Sequence, residues 1–277
     1  MSLVVRRAAV AGTWYPGSSS EIRAEVDSYL ARVPSLEPAG RLVGLVSPHA
    51  GLRYSGAVAA HGYALLRGKT DLTVVLVGPS HGVSFDGLAV FARGAFETPL
   101  GQAPVDEDLA DRLLASHPSV ADLPQPHLGE HSLEMQLPFL QHLVPGLRIL
   151  PVLMAHQGRD EVLALAEALA LALAGRENVL LVASTDLSHY HPAPVANELD
   201  AAVVGDVRDF DADVLLARIV RSPGHACGGG SLVAVMKAAE ALGASHSLVL
   251  RYADSGDAGE RDKSRVVGYL AAALVAE

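Results

Sequence analysis

The sequence predicts an α/β fold: one domain over residues 1–277, with a mainly parallel, mixed sheet flanked by helices. Three observations carry this. Apolar runs of strand length alternate with segments of helical periodicity. Several of those runs are apolar almost without a break, and no linker, charge block or repeat divides the chain. Strands covered on both faces by crossover helices lose the in–out alternation of a half-exposed sheet, so continuous runs argue for parallel pairing.

The elements follow in order. "SSSE" has the spacing of a capping box, Ser18 to Glu21, and opens a helix over 20–32. "RLVGLVSPHAG" holds a strand at 42–47 and "LTVVLVGPSHGVS" one at 72–77, with a helix over 56–67 between them. Together they make a right-handed βαβ unit whose strands run parallel, adjacent or nearly so. A strand at 87–92 precedes a helix over 106–116 with an acidic first turn, and a further helix covers 131–143. Strands at 148–154, 179–183, 246–252 and 266–274 alternate with helices over 159–174, 196–208 and 228–242. The loops at 94–105, 117–130 and 254–265 are long enough to form rims or lids.

Composition excludes several classes. A formal net charge of −10 with no Lys/Arg run argues against a general nucleic-acid binder, which needs a basic face. The single cysteine, Cys227, permits no intrachain disulfide and no Cys₄ zinc site, and it fits a reducing compartment. The first residues carry too short an apolar stretch for a signal peptide. The longest apolar tract, 162–175, is interrupted by Glu167 and falls short of the about 20 residues of a membrane span. The expectation is a soluble cytoplasmic protein with no membrane or nucleic-acid partner. There is no P-loop, no early dinucleotide-binding glycine fingerprint, no H-E-x-x-H and no G-x-S-x-G.

What remains points to strand ends. In the βαβ unit the residues past both strands emerge at one carboxyl edge, where open α/β sheets bind ligands. His49 and His81 each sit a few residues past such an end, on loops braced by Pro48, Gly51, Pro79 and Gly82. Either histidine alone reads as a ring bonded to a nearby carbonyl; the pair reads as a site, and imidazoles on rigid strand ends suit a first-row metal. Cys227 stands before a triple glycine at a helix N-terminus, where the helix dipole lowers a thiol pKa, though a lone cysteine is as often a small buried apolar residue. "VLLVASTDLSHYH" delivers Ser184, Asp186, His189 and His191 at another strand end, and Asp186 and His189 would share a face if the turn were helical. Glu130, His131 and Glu134 sit at an expected helix start, where spacing alone favours capping. His156 is a weaker strand-end candidate.

The stretches "VAGTWYPG", "PHAGLRYSG", "GPSHGVSFDG", "TPLG", "EHSLEMQLPFLQHL", "STDLSHYH" and "CGGG", in this order, resemble the Memo (mediator of cell motility) family over nearly the whole chain. The resemblance implies a fold similar to class III extradiol ring-cleaving dioxygenases, with the site at the sheet edge. It implies His49, His81 and Cys227 as ligands of iron or copper. Asp186 and His189 would lie beside the metal, and Glu130 and His131 near it. It also implies redox chemistry and, for prokaryotic members, protein partners from a radical-SAM-associated gene set. The chain departs from the pattern at Gly229 and Gly230, where many relatives carry Arg and Pro, and at Leu187, where many carry an aromatic residue. The anion contact behind phosphopeptide binding is therefore not carried over, nor is the shape of the pocket.

The reading is a mononuclear metal-dependent redox enzyme acting on a small molecule, with dioxygenase-like chemistry. His49, His81 and Cys227 hold the metal; His189 is the acid/base, Asp186 orients it or the substrate, and His131 completes the catalytic set. Two rivals stay open. One is a non-catalytic protein that holds a metal or a peptide. The other is a metal-free cysteine hydrolase with Cys227 as nucleophile.

Overall fold

Four apolar runs, β2 (Arg41–Ser47), β3 (Thr73–Pro79), β8 (Arg148–Met154) and β9 (Val179–Ser184), pair in parallel at the centre of a nine-stranded sheet in the order β2–β9–β3–β8. The computed structural model that shows this describes residues 4–258 and 262–277; residues 259–261, within the loop expected at 254–265, lie outside it. Every residue of β3 is buried, as its unbroken apolar run requires. Each Val or Leu so buried contributes about 1.5–3 kcal/mol, which fixes these strands at the core.

The remaining strands border the parallel centre. On one side β4 (Leu88–Val90) runs antiparallel to β8 and parallel to β7 (Val120–Asp122). On the other, β12 (Val266–Ala276) runs antiparallel to β2, and both β10 (His189–His191) and β11 (His246–Asp254) pair antiparallel to β12. A separate three-stranded sheet joins β1 (Val5–Arg6), β5 (Ala95–Thr98) and β6 (Gly101–Pro104). Two groups of helices pack against this frame. In one, α1 (Ser19–Leu30), α2 (Leu52–Tyr63) and α4 (Leu137–Leu143) touch one another. In the other, α3 (Glu107–Ser116), α5 (Arg159–Leu173), α8 (Gly229–Ala241), α7 (Ala212–Arg221) and α6 (Ala193–Arg208) form a chain of neighbours. The fold is a single α/β domain with a mostly parallel, mixed sheet flanked by helices.

Several expectations are corrected. The expected loop at 94–105 is the β5–β6 hairpin, and its alternation was masked by its shortness. The helix expected at 131–143 starts late, as a 3₁₀ turn over Glu134–Gln136 followed by α4, because residues 130–132 are held by a carboxylate and not by helical bonds. Helix α7 was not expected at all. Residues 189–191 form a strand, so Asp186 and His189 do not share a helical turn. The strands of the βαβ unit are near-adjacent, with β9 inserted between them.

That insertion positions the site. Ser47 pairs with Ser184, and Pro79 with Met154, so β2, β9, β3 and β8 end at one edge. Two residues beyond each end stand His49, Asp186, His81 and His156. The first three converge. His156, on the outermost of the four strands, is exposed near Ser84 and Asp86 and does not join them.

Candidate metal centre

His49, His81 and His131 each offer a ring nitrogen, and those three atoms lie within 4.8 Å of one another. His49 is buried, His131 half-buried and His81 exposed, so the group runs from the floor of a pocket to its mouth. The rings of His81 and His131 stack with centroids 4.5 Å apart, and His49 meets both edge-on. Trp14 lies 4.3 Å from the His131 ring. The pocket has a volume of about 680 Å³ and includes Asp186, His189, Tyr54 and Tyr190 in its wall.

The hydrogen bonds decide which nitrogens are free. The side chain of Gln136 accepts from the Tyr63 hydroxyl at 2.6 Å, so its amide group is the end facing the Pro48 carbonyl and Ser184 Oγ. Ser184 therefore accepts from Gln136 while its own proton goes to the Ser132 carbonyl at 2.7 Å. Its remaining lone pair can only accept, so His49 Nδ1, at 2.9 Å, carries the proton. His49 Nε2 is left with a lone pair. Burial, with the neighbouring His81 second, lowers the His49 pKa to about 3, so the ring is a neutral donor at physiological pH.

Glu130 does the same for His81. Its carboxylate accepts from His81 Nδ1 at 2.9 Å and from the backbone N–H groups of His81, His131 and Ser132. Burial is the largest influence on Glu130 and pushes its pKa up, but these hydrogen bonds together win and hold it below the usual carboxylate range. An ionised Glu130 keeps the proton on His81 Nδ1 and frees Nε2, the orientation a carboxylate gives to metal-ligating histidines. The same oxygen lies 3.5 Å from His131 Nδ1, so the two stacked rings turn the same edge toward it. Burial lowers the His131 pKa to about 4, which leaves this ring neutral too. Three imidazoles whose ligand nitrogens lie this close, with His49 and His131 held neutral by burial, fit a first-row metal ion.

Cys227 sits beside this group and outside the three-atom cluster. Its Sγ is 3.2 Å from His49 Nε2 and accepts from the Asp186 N–H at 3.3 Å. The approach is possible because residue 228 is glycine: a Cβ there would run into the Ser184 carbonyl oxygen and Thr185. The expectation that the helix N-terminus lowers the thiol pKa is overturned. Cys227 is half-buried as a residue while its sulfur faces inward, and burial, followed by the Asp186 carboxylate, pushes the thiol up.

Asp186 is buried and its Oδ1 accepts from the N–H groups of His49 and Ala50, at 2.8 and 3.3 Å. Burial is the largest influence and raises its pKa despite those bonds. His189 donates from Nδ1 to the Leu187 carbonyl at 2.8 Å, which leaves Nε2 as a proton acceptor at the pocket. Glu134, read from spacing as a capping residue, is fully buried instead. It pairs with Arg6 and accepts from the N–H groups of Ala9 and Val10 and the hydroxyl of Tyr15, thereby fixing the segment that carries Trp14. Gln136 was missed, for its role depends wholly on what the fold brings to it. A larger cavity, about 920 Å³, lies at the opposite edge of the sheet. There Arg41, Arg67 and Arg176 already donate to Leu242, Leu30 and Asp106.

No helix among the described residues is long and apolar enough to cross a membrane. A sequence profile described as Memo-like protein matches residues 6–273. The chain is 36% identical to a MEMO1 family protein of Methanosarcina mazei, with 99% of each chain covered. It is 34% identical to one of Methanothermobacter thermautotrophicus, over 96% of this chain and 99% of the relative. A third, from Methanocaldococcus jannaschii, is 35% identical over 97% of this chain and 98% of its own length.

Proposed function

The chain belongs to the Memo-like protein family, and from that premise we propose that it is a redox enzyme that uses one iron or copper ion on a small molecule. His49, His81 and His131 would hold the ion. Cys227, 3.2 Å from His49 Nε2, would add its sulfur on losing a proton. The observation that carries the reading is the double orientation of His49 by Ser184 and of His81 by Glu130, which leaves the other nitrogen of each ring with a lone pair in a group whose ligand atoms lie within 4.8 Å of one another. A buried core histidine needs no such convergence. This ligand set revises the expected two-histidine, one-cysteine set by bringing in His131.

Iron or copper there would supply one-electron chemistry toward oxygen or a reduced oxygen species. The chain's own groups do the rest. His189, with its Nδ1 proton tied to Leu187, takes a proton from the substrate at Nε2 and returns it after the chemistry. Asp186 anchors the loop of His49 through two N–H groups and so keeps that ring in place. Trp14 and Tyr54 wall off the substrate. The metal-free hydrolase is disfavoured, since a thiol pushed up by burial is a poor nucleophile.

The test is oxygen uptake, with ascorbate as reductant, by protein loaded with iron(II) or copper(I). Uptake above that of metal-free protein is expected, and His189→Gln should keep its metal yet slow uptake roughly 100-fold. Equal uptake by loaded and metal-free protein would favour the non-catalytic binding protein.

A further inference from the structure

The mouth of the pocket has features the metal does not use. Two arginines, Arg53 and Arg265, line it in a chain whose formal net charge is −10. The carboxylate in its wall, Asp186, is buried and bonded to backbone N–H groups. Among the described residues no carboxylate pairs with Arg265. Its guanidinium carbon lies instead 5.2 Å from the ring centroid of Tyr190.

Tyr190 is unusual in two ways. It is 64% exposed, and its φ is 62°, in the left-handed region that bulky side chains rarely adopt. The cause lies in the sheet. His189 pairs with Val267 and His191 with Val266, so two steps on β10 match one on β12, and the bulge turns Tyr190 out of the ladder. An exposed aromatic side chain held on strained backbone beside a pocket serves a ligand better than it serves packing. The result is a flat face under a cation at the rim, with Trp14 and Tyr54 in the same lining.

We propose that the organic ligand of this pocket is a small flat carboxylate, an aromatic or conjugated acid. Arg265 holds its carboxylate while Tyr190 and Trp14 take its ring. This rests on the reading of the pocket as a small-molecule site. The guanidinium fork matches the two oxygens of a carboxylate, and stacking on Tyr190 orders Arg265 before the ligand arrives. About 680 Å³ suits a molecule of that size.

Trp14 is the chain's single tryptophan, so intrinsic tryptophan fluorescence reports on this pocket alone. The experiment titrates full-length protein, metal-free and metal-loaded, with benzoate, with its neutral isostere benzamide and with acetate, which has the charge but no ring. Benzoate should bind tightest in both forms. Arg265→Ala should weaken benzoate about tenfold and leave benzamide unchanged, with Arg265→Lys in between. Tyr190→Gly, which suits the positive φ, should weaken both ligands, benzoate more than benzamide because it also releases Arg265. Equal binding of benzoate and benzamide, or wild-type benzoate binding by Arg265→Ala or Tyr190→Gly, would overturn the proposal. Protein that refuses metal but still prefers benzoate would sink the metal reading and spare this one. Protein that binds metal but shows no preference would do the reverse.

Discussion

Glu130 shows how much of the site depends on a single carboxylate. It orients His81 and pins three backbone N–H groups, so Glu130→Gln changes a charge and little volume. A neutral amide no longer favours the Nδ1-protonated ring of His81. We expect metal affinity to fall roughly 10–100-fold in a chelator competition, with the fold retained by circular dichroism. An unchanged affinity would show that His81 needs no orienting partner. Cys227→Ser separates the two possible ligand sets. If three histidines suffice, the variant keeps a stoichiometric metal ion at reduced affinity; complete loss would return the cysteine to the primary set.

At the scale of elements, the close approach of helix α8 to the end of β9 sets the depth of the pocket floor. Gly228→Ala places a methyl group against the Ser184 carbonyl and Thr185, and a shift of Ser184 moves the hydroxyl that orients His49. A loss of about 1–3 kcal/mol in urea unfolding is expected, together with weakened metal binding. Stability unchanged from wild type would mean that the helix retreats freely. The strand ends were legible in the sequence because β2, β3 and β9 are unbroken apolar runs that stop at polar residues. The ligand role of His131 was not, for it depends on a loop folding back from residue 130 across the sheet edge. The β5–β6 hairpin and β10 escaped notice because strands of three or four residues carry too little periodicity.

His127 tests the packing beneath that loop. It is buried near Phe91 and Phe96, donating from Nε2 to the Ala89 carbonyl at 3.2 Å, and burial lowers its pKa to about 3. The folded state thus holds the ring neutral, whereas the unfolded chain protonates it near pH 6.5. Its contribution is complete above pH 6.5 and is lost as pH falls from there toward 3, amounting to about 2 kcal/mol between pH 7 and 5. His127→Phe should shrink the difference between urea midpoints at those two pH values. An undiminished difference would assign acid sensitivity to other groups, His49 and His131 foremost.

For the whole molecule, the buried Arg6–Glu134 pair ties the N-terminal segment to the turn that follows His131, joining the small sheet to the metal group. Arg6→Met leaves a buried carboxylate without its cation, at a cost of about 3–5 kcal/mol. Trp14 should then lose its contact with His131, seen as a red shift in its emission. An unshifted spectrum would show that Tyr15 and the backbone bonds to Glu134 hold the segment without Arg6.

One metal ion is expected among His49, His81 and His131. Metal content by mass spectrometry, on anaerobically purified protein offered iron(II) and copper(I), tests it most directly. About one iron or copper per chain is expected, lost in His49→Ala, His81→Ala and His131→Ala. Wild-type protein that takes up neither metal, or all three variants retaining a full complement, would contradict it.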